Sequence, residues 1–462
     1  MVRSVERPKP VVLPALCKGC GRCIDACPRG CITIGHDVNQ DSGLVPVVID
    51  LDVCNGCGVC LSACPEPYGL STDGYELEDP RHLFGERSGA RTASRADRSP
   101  ERIPLGAREP LILKGNHAAA IGALLAGCRH VFGYPITPST EGAELMAALL
   151  PKLDGVFLQA VSEVATINHM YGCGGAGLPC LTFTSSPGFS LMLEGISYMI
   201  GAEVPAVVIN VMRGGPGLGN IAPEQSDIKL VCRGLGHGNT HAVVLAPTTP
   251  QEMLDCTMEA FRIAFEYRNP VIVAADGYLG QMTGVVKLPD HMLRPQLPDW
   301  AVFGDAEHRG NLINSIYLAE DELEAHNRML EDKYARITAR EARSRSWQAE
   351  DAEILLIACN TPARMAKGAV ARLRDEGVKA GMFYPLTLWP FPIDDLLVHL
   401  PHVRELVIVE AGAGQLEDEV RLALSKAGAP PIPIRGVRRM GGVVPQEDEI
   451  FDAVQATSEV TS

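Results

Sequence analysis

The sequence predicts an α/β protein with two domains built on parallel sheets and a small α+β domain in front of them. Nine of the 15 cysteines lie before residue 65, a density typical of a small metal-stabilised domain. From residue 110, strand patterns alternate with helical patterns, and the alternation returns after residue 351, as parallel sheets with helical crossovers require. A chain of 462 residues is long enough for this many cores.

The composition is that of an ordinary globular protein, with 46% hydrophobic and 21% charged residues. The formal net charge of -15 argues against a general nucleic-acid binder. No apolar run approaches the roughly 18 residues of a membrane span, and the opening MVRSVERPKP lacks the apolar core of a secretion signal. We therefore expect a cytoplasmic protein without nucleic-acid or membrane partners, whose clustered thiols are reduced and hold metal.

The first domain, predicted at 1–79, contains two cysteine motifs with identical C-x2-C-x2-C-x3-C-P spacing. In this spacing, three close thiolates bind one [4Fe-4S] cluster and the fourth reaches to the other cluster. One predicted ligand set is Cys17, Cys20, Cys23 and Cys64, and the other is Cys54, Cys57, Cys60 and Cys27. Zinc is the alternative metal, but zinc sites favour C-x2-C pairs that are well separated along the chain.

Residues 10–70 resemble the two-cluster ferredoxins of bacteria. The glycines between the ligands, such as Gly19 and Gly56, allow tight turns that point N–H groups at sulfur. Cys31 departs from the small apolar residue that is frequent there, and we expect a buried bystander instead of a ligand.

Residues 80–108 form a predicted linker that is rich in Arg, Ser, Gly and Pro. Its arginines are Arg81, Arg87, Arg91, Arg95, Arg98, Arg102 and Arg108. Two interpretations remain open: a solvated tether, or an arm that docks on the acidic body of the protein or on a partner subunit.

The first α/β domain is predicted at 109–300, a charged helical connector at 301–350, and the second α/β domain at 351–462. Predicted strands are 111–113, 131–134, 180–184, 206–211, 270–275, 354–358, 378–384 and 406–409. Predicted helices are 118–127, 164–171, 191–201, 250–267 and 415–424. A further helix is expected with Thr361 as N-cap, Pro362 at its first position and Gly377 after its end.

Two loops that follow predicted strands have the composition of ligand-binding turns. Prolines stiffen GYPITPST (133–140), which is suited to presenting the Thr137 hydroxyl, and RGGPGLG (213–219) allows close backbone approach. Ligand sites of parallel sheets cluster at such strand ends, and Arg213 is suited to a bidentate grip on a carboxylate. A rigid structural turn and a surface arginine are the alternatives.

The glycines Gly172, Gly174 and Gly177 match the dinucleotide-binding pattern but not its context. That pattern follows a strand and opens a helix, whereas this one follows a helical stretch and precedes a strand. We therefore expect a helix end and a turn there.

Several collinear stretches resemble the α subunit of 2-oxoacid:ferredoxin oxidoreductases. They are GYPITPST (133–140), LQAVSEVA (158–165), TSSPGFSLMLEGISYM (184–199), MRGGPGLG (212–219) and NPVIVAADGYLGQM (269–282). The later VEAGAGQ (409–415) is similar to the transketolase C-terminal-like domain of that family. The resemblance implies a thiamine pyrimidine-type domain followed by a transketolase C-terminal-like domain, with the ferredoxin-like domain fused in front.

The resemblance also implies oxidative decarboxylation of a 2-oxoacid on thiamine diphosphate and Mg²⁺, with release of an acyl-CoA from coenzyme A and electrons passed singly through the clusters. Glu163 matches the family glutamate that hydrogen-bonds the aminopyrimidine ring, and its apolar neighbours, such as Val161 and Val164, suggest a poorly solvated pocket for it. Thr137 matches the threonine that contacts the substrate carboxylate. Arg213 is the candidate substrate-clamping arginine.

The motif that binds diphosphate and Mg²⁺ in thiamine enzymes is missing, which predicts partner subunits. The nearest match to its G-D-G signature is Ala275-Asp276-Gly277, which lacks the first glycine. The later cysteines look scattered and are expected in the core: Cys128, Cys173, Cys180, Cys232, Cys256 and Cys359. The resemblance therefore implies a β subunit that supplies the diphosphate and Mg²⁺ site and a proximal cluster, a γ subunit, and an external ferredoxin or flavodoxin.

The sequence leaves several 2-oxoacid substrates open. MRGGPGLG and RMGGVVPQEDEIF (439–451) look nearest to enzymes of branched-chain 2-oxoacids such as 3-methyl-2-oxobutanoate. Enzymes of 2-oxoglutarate are the alternative, and pyruvate, aryl 2-oxoacids and the reverse reaction stay open. An alternative of another class is an electron-transfer or scaffold subunit without a catalytic role, which the joint presence of Glu163 and Thr137 disfavours.

Overall fold

The computed structural model describes residues 8–40, 42–65, 69–71, 100–308 and 310–458. By its internal contacts the chain divides into two compact units, Met1–Ser94 and Arg95–Ser462. Most of the predicted linker lies outside the described residues, so its two interpretations stay predictions. Within the described part of the chain, no helix is long and apolar enough to cross a membrane.

The described residues of the first unit form two short helices and two antiparallel strand pairs. Its elements are β1 (Val11–Val12), α1 (Arg22–Ala26), β2 (Ile32–Ile34), β3 (Val47–Ile49), α2 (Val59–Ala63) and β4 (Leu70–Ser71). β1 pairs with β4, and β2 pairs with β3. α1 and α2 begin after Gly21 and Gly58, whose φ angles of 78° and 80° are left-handed and suit glycine. Each cysteine motif therefore makes one tight turn and enters a helix.

The core of the first unit is small and rich in sulfur. Its buried residues are Cys17, Cys23, Cys31, Ile32, Val47, Cys60 and Leu70. A hydrophobic core of this size does not stabilise a domain by itself. We therefore expect metal binding to supply a large part of the folding free energy of this unit.

The second unit contains a seven-stranded sheet in the order β18-β11-β12-β10-β9-β7-β8. The strands before residue 300 are β5 (Glu101–Pro104), β6 (Leu111–Lys114), β7 (His130–Gly133), β8 (Val156–Gln159), β9 (Cys180–Thr184), β10 (Ala206–Met212), β11 (Val243–Leu245), β12 (Pro270–Asp276), β13 (Thr283–Val286) and β14 (His291–Arg294). β18 (Thr387–Trp389) is antiparallel to β11, and the other pairs in this sheet are parallel. β9, β10 and β12 are buried along their whole length, as strands covered by helices on both faces are.

The helices that accompany this sheet are α3 (Gly115–Leu125), α4 (Thr140–Leu149), α5 (Glu163–Gly175), α6 (Ser186–Gly201), α7 (Asp227–Arg233), α8 (Pro250–Tyr267) and α9 (Gly277–Gln281). α8 has the bounds that the sequence predicts, because Thr249 caps it by accepting a hydrogen bond from the Glu252 amide and Pro250 opens it. Gly172 and Gly174 lie in the last turns of α5, and Gly177 has a φ of 75° in the turn that follows. The expected helix end at these glycines is thus observed.

The second sheet has the order β15-β17-β16-β19-β20. Its strands are β15 (Ser344–Trp347), β16 (Ile354–Ile357), β17 (Ala380–Pro385), β19 (Glu405–Ala411) and β20 (Ile434–Arg439). The helices after residue 300 are α10 (Glu320–Glu341), α11 (Asn360–Asp375), α12 (Ile393–His399), α13 (Gln415–Lys426) and α14 (Glu447–Ser458). Only β15 is antiparallel to its neighbour in this sheet. The predicted α/β class with two parallel-sheet domains is confirmed.

Three local predictions differ from the structure. Within the predicted helical connector at 301–350, helix α10 begins only at Glu320, and Ser344–Trp347 is an edge strand of the second sheet. Within the predicted linker at 80–108, Glu101–Pro104 is a strand that pairs with β14. The third difference is that β18, from the sequence of the second domain, extends the first sheet. All three are edge strands whose partners lie far away in sequence, so local patterns do not reveal them.

The expected N-cap at Thr361 is also wrong. α11 begins at Asn360 with Cys359 as its N-cap. The Thr361 amide and hydroxyl donate to the Asp276 carboxylate at 2.8 and 2.7 Å. The Thr361 hydroxyl therefore forms a contact between the two α/β domains and does not cap the helix. Gly377, with a φ of 83°, does follow the end of the helix as predicted.

Candidate active site and cysteine-lined cavities

Two small cavities in the first unit are lined by cysteines. One is lined by Cys27, Cys54, Cys57 and Cys60 together with Cys31. The other is lined by Cys17, Cys20, Cys23 and Cys64. The fold thus brings together the same two quartets that the spacing predicts, with the fourth cysteine of each motif at the cavity of the other motif.

The surroundings of these sulfurs suit an iron–sulfur cluster. The Val47 amide donates to the Cys17 sulfur at 3.4 Å, as expected of N–H groups around a cluster. Burial raises the pKa of the Cys23 and Cys60 thiols, so binding of metal there must displace protons. The residues present therefore fit two [4Fe-4S] clusters.

Cys31 lies close to one of these quartets. It is buried, and its sulfur is 3.4 Å from that of Cys27. Burial, reinforced by Cys27, raises the pKa of the Cys31 thiol to about 12. The quartet of Cys27, Cys54, Cys57 and Cys60 is complete without Cys31, so Cys31 stays a predicted bystander.

The three predicted catalytic residues of the second unit lie at one edge of the first sheet. Thr137 follows β7, Glu163 follows β8 and Arg213 follows β10, while the start of α6 follows β9. These four strands are consecutive neighbours and run parallel. Their carboxyl ends therefore present all of these loops to one crevice, where α/β sheets bind ligands.

Glu163 is the first residue of α5 and is only 5% exposed. Its helix is capped by Ser162, whose hydroxyl accepts from the Ala165 amide at 3.2 Å. A Cβ atom added to Gly188 would lie 2.5 Å from both Glu163 Oε1 and Thr184 Oγ1. The carboxylate thus lies against the first turn of α6, and two helix N-termini favour its negative charge.

The pocket around Glu163 differs from the predicted one. Val161 and Val164 are 89% and 47% exposed, so they do not enclose the carboxylate. The burial comes instead from α6, where Gly188 leaves room for it. Periodicity along α5 carries no information about this contact, because the covering residues come from another strand–helix junction.

Arg213 joins the two predicted ligand loops. Its guanidinium donates to the carbonyl oxygens of Thr137 at 2.8 Å and Leu218 at 3.1 Å, and its amide donates to the Ser186 hydroxyl at 3.0 Å. The residue is 9% exposed, whereas Thr137 is exposed to the crevice. If the Arg213 guanidinium binds a substrate carboxylate, the same group therefore has to donate both to that carboxylate and to these backbone carbonyls.

Three buried polar atoms in this crevice have no hydrogen-bond partner among the described residues: Thr184 Oγ1, Ser185 Oγ and Arg213 Nε. Buried polar groups are nearly always paired, so these atoms fit a polar ligand such as an aminopyrimidine ring. Sequence reasoning did not single out Thr184, Ser185 or Gly188. The available signal was their position inside the TSSPG stretch directly after a strand.

The loops of this crevice are anchored from both α/β domains. The Pro138 carbonyl accepts from Asn116 Nδ2 at 2.8 Å. On the other side, the Asn220 side chain donates to the Gly441 carbonyl at 2.9 Å, and the Gly441 amide donates to Glu224 at 3.0 Å. The loop that contains Gly441 in the second domain therefore holds the loop that follows Arg213 in the first.

Asp276, in the incomplete diphosphate motif, is fully buried and its oxygens are occupied. It accepts from the amides of Tyr278 and Leu279 and from Thr361. Burial raises the pKa of this carboxyl group. In this chain Asp276 caps a helix and joins two domains, a role that differs from metal binding.

The later cysteines are less scattered than the sequence suggests. Cys128, Cys173 and Cys180 donate to the carbonyls of Pro179, Leu178 and Met170, respectively, around the start of β9. A hydrogen bond with Cys173, together with burial, raises the pKa of the Cys180 thiol. Cys232 and Cys359 are buried and Cys256 is partly buried, so the expectation of core positions holds for most of the set.

Three family descriptions match successive parts of the chain. They are a 4Fe-4S dicluster domain at residues 16–67, the thiamine diphosphate-binding domain of pyruvate flavodoxin/ferredoxin oxidoreductase at 121–345, and core domain II of pyruvate:ferredoxin oxidoreductase at 352–450. Their order is the order that the motifs predict.

Individual relatives agree with these matches. The chain is 43% identical over 346 residues to the ketoisovalerate oxidoreductase subunit VorB of Methanothermobacter thermautotrophicus, covering 74% of this chain and 97% of that relative. It is 35% identical over 369 residues to the 2-oxoglutarate synthase subunit KorA of Methanocaldococcus jannaschii, covering 74% and 98%.

A solved structure has the same fold over most of this chain. It is the 2-oxoglutarate:ferredoxin oxidoreductase from Magnetococcus marinus with 2-oxoglutarate, coenzyme A and succinyl-CoA bound, which aligns with a TM-score of 0.69 and 26% identity over 76% of this chain and 65% of that chain. The family resemblance of the motifs is thereby confirmed. The chain belongs to the 2-oxoacid:ferredoxin oxidoreductase family, as a thiamine diphosphate-dependent subunit that carries a 4Fe-4S dicluster domain.

Proposed function

We propose that the chain is the α subunit, with a fused ferredoxin-like domain, of an enzyme that oxidises a branched-chain 2-oxoacid, with 3-methyl-2-oxobutanoate as the best candidate. The 2-oxoacid anion and coenzyme A give acyl-CoA, CO₂, two electrons and one proton. The relative with ketoisovalerate in its name supports this substrate, because the match covers nearly all of that relative. The observation that carries the proposal is the buried Glu163 carboxylate at a crevice that also contains Thr137 and Arg213.

Each residue of the crevice has a role that its position supports. Thiamine diphosphate, when bound, supplies the carbon nucleophile for the 2-oxoacid carbonyl. Glu163 accepts a hydrogen bond from a protonated ring nitrogen. A hydrogen bond to a charged carboxylate contributes roughly 1.5–3 kcal/mol of stabilisation. The Thr137 hydroxyl donates to the substrate carboxylate. Arg213 holds the Thr137 loop and contributes positive charge beside it.

The complete enzyme needs partner subunits. We propose a β subunit for diphosphate, Mg²⁺ and a proximal cluster, a γ subunit, and an external ferredoxin or flavodoxin in the cytoplasm as electron acceptor. The occupied oxygens of Asp276 support the first of these, because the incomplete motif offers no free carboxylate for Mg²⁺. The names of the relatives as subunits agree with a multi-subunit assembly.

An enzyme of 2-oxoglutarate is the second candidate. The KorA relative is 35% identical, and the aligned structure has 2-oxoglutarate bound. Arg213 Nε, which is buried without a partner among the described residues, is a donor that a second carboxylate would satisfy.

Activity of the co-purified complex tests the function. Coenzyme A-dependent reduction of viologen is expected to be fastest with 3-methyl-2-oxobutanoate, slower with 2-oxoglutarate and pyruvate, and absent with the isolated chain. Fastest turnover of 2-oxoglutarate would select the second candidate. Turnover by the rigorously purified chain alone would contradict the shared site.

Iron content tests the cluster assignment. We expect about eight iron atoms per anaerobically prepared chain, and about four after Cys60→Ala, because one of two [4Fe-4S] clusters is lost. Cys31→Ser is the matched control and is expected to keep about eight. Zinc in place of iron after reconstitution with both metals, or loss of iron in Cys31→Ser alone, would contradict the assignment.

Substrate affinity tests the role of Thr137. Thr137→Ala is expected to raise KM for the 2-oxoacid by about 10- to 100-fold, because one hydrogen bond to a charged group is lost. Thr137→Ser keeps the hydroxyl and is expected to restore most of the affinity, while the dissociation constant of thiamine diphosphate stays unchanged in both variants. An unchanged KM in Thr137→Ala for every accepted 2-oxoacid would show that the turn is only structural.

A further inference from the structure

An open cleft of about 710 Å³ lies between the two α/β domains of the second unit. One wall contains Thr248 and Thr249, in the connection that follows β11 and opens α8. The opposite wall is formed by α11 and by strands β15 and β17. Clefts at domain interfaces and at the carboxyl ends of parallel strands are the usual places for small-molecule sites.

The cleft is separate from the crevice that contains Glu163. In the sheet order, β12, β10, β9 and β7 lie between β11 and β8. With neighbouring strands about 4.8 Å apart, the connection after β11 is on the order of 24 Å from the end of β8, where Glu163 lies, and about 10 Å from the end of β10, where Arg213 lies. A ligand of the cleft is therefore not the ring that Glu163 contacts, and only its identification with coenzyme A rests on the proposed function.

The lining of the cleft is positively charged in a chain whose formal net charge is -15. Arg345, Arg364 and Lys367 line it, against a single acid, Glu252. Glu252 is already neutralised, because one oxygen pairs with Arg345 at 2.8 Å and the other accepts from the Thr248 amide at 2.7 Å. The nearby Asp255 receives a hydrogen bond from Gln251 at 3.0 Å.

Two of these cations have no acidic partner. Among the described residues, Arg364 makes no ion pair, and the contact of Lys367 is with the ring of Trp347, whose centroid is 5.1 Å from Nζ. Both side chains are exposed to the cleft. Arg364 is therefore free to pair with an anion. Lys367 can do so by moving off the Trp347 ring, which also uncovers that face of the ring, and a charge-assisted bond to a phosphate is the strong form of such a contact.

The cleft also offers flat apolar surface. Trp347 and Tyr384 line it and are half-buried. Burial raises the pKa of Tyr384 to about 12, so its hydroxyl stays a neutral donor. Along α11, the small residues Ala363 and Ala371 flank Lys367 on the same helix face, since they are four residues apart on either side. They leave room beside the rings.

From this combination we infer that the cleft binds a nucleoside that carries at least two phosphates. Arg364 and Lys367 pair with the phosphates, and the base stacks against Trp347 beside Tyr384. A free nucleotide and the adenosine end of coenzyme A share this chemistry.

Calorimetric titration of the complete, cluster-loaded chain tests the inference. The probes are ATP, inorganic tripolyphosphate, coenzyme A and dephospho-coenzyme A, at low ionic strength. Saturable binding of ATP or coenzyme A is expected below about 1 mM. The double variant Arg364→Ala/Lys367→Ala is expected to weaken it by about 10- to 100-fold. Lys152→Ala, at an exposed lysine of the Leu150–Leu153 turn, is the matched control and is expected to bind as the native chain does.

The outcomes distinguish both the ligand source and the proposed function. Binding of ATP with an unchanged KM for coenzyme A identifies a free nucleotide, whereas binding of coenzyme A alone, with a raised KM in the double variant, identifies its adenosine end. The maximal turnover at saturating substrates is expected to stay native in the double variant in either case. No saturable binding of any nucleotide, equal binding in the double variant, or tripolyphosphate binding as tightly as ATP would overturn the inference.

Discussion

Replacement of Glu163 with glutamine is expected to reduce turnover of the assembled complex by about 10²- to 10⁴-fold. The amide has the shape of the carboxylate but lacks its charge, so it cannot stabilise a protonated ring nitrogen in a buried crevice. Glu163 is 5% exposed and lies against the first turn of α6, so bulk water does not replace it. The measurement is the steady-state rate of viologen reduction at saturating 2-oxoacid and coenzyme A.

The matched control for this variant is Glu144→Gln, at an exposed position of helix α4 in the same domain. It is expected to keep native turnover. Both variants are expected to keep their iron, because Glu163 and Glu144 belong to the second unit. Near-native turnover of Glu163→Gln would show that this domain does not form the thiamine site, and would favour the alternative of an electron-transfer scaffold.

Gly188→Ala is expected to reduce turnover by about 100-fold, with a loss of stability that is small beside that effect. The new Cβ would lie 2.5 Å from Glu163 Oε1, so the carboxylate must move, and a misplacement of about 1 Å at a reacting group costs roughly this much. The same Cβ would lie 2.5 Å from Oγ1 of the buried Thr184, which destabilises the fold, while the preference of a helix for alanine over glycine offsets about 1 kcal/mol of that loss. Turnover and the melting temperature of the complex are the two measurements.

Gly172→Ala is the matched control, since Gly172 lies in helix α5 and a Cβ there would have no neighbour within 4 Å. This variant is expected to keep native turnover and to have an unchanged or slightly higher melting temperature. If Gly188→Ala kept native turnover while its melting temperature was unchanged, the position of the Glu163 carboxylate would not matter for catalysis.

Local sequence signals were sufficient where a feature depends on neighbours in the chain. The spacing of the cysteines predicts the two quartets that line the cavities of the first unit, because three of four ligands come from seven consecutive positions. Likewise Thr249 and Pro250 fix the start of α8. The loops with Thr137 and Arg213 were found because each directly follows a strand.

Features that depend on distant contacts were not predicted. The pairing of β18 with β11 and the burial of Glu163 by α6 join segments that are far apart or belong to different helices. The Thr361 hydroxyl is an example, because it donates to the buried Asp276 carboxylate of the other domain and does not cap its own helix. The clustering of Cys128, Cys173 and Cys180 is likewise visible only once β9 is placed.

We propose that Glu163 of this chain activates thiamine diphosphate in a site shared with a partner subunit. The most direct test of this claim is the rate of hydrogen–deuterium exchange at C2 of thiamine diphosphate bound to the assembled complex, measured by quenched-flow NMR in the native and Glu163→Gln proteins. We expect the exchange to slow by at least about 100-fold in the variant, with iron content and cofactor occupancy unchanged. Equal exchange rates in the two complexes, at equal occupancy, would contradict the claim.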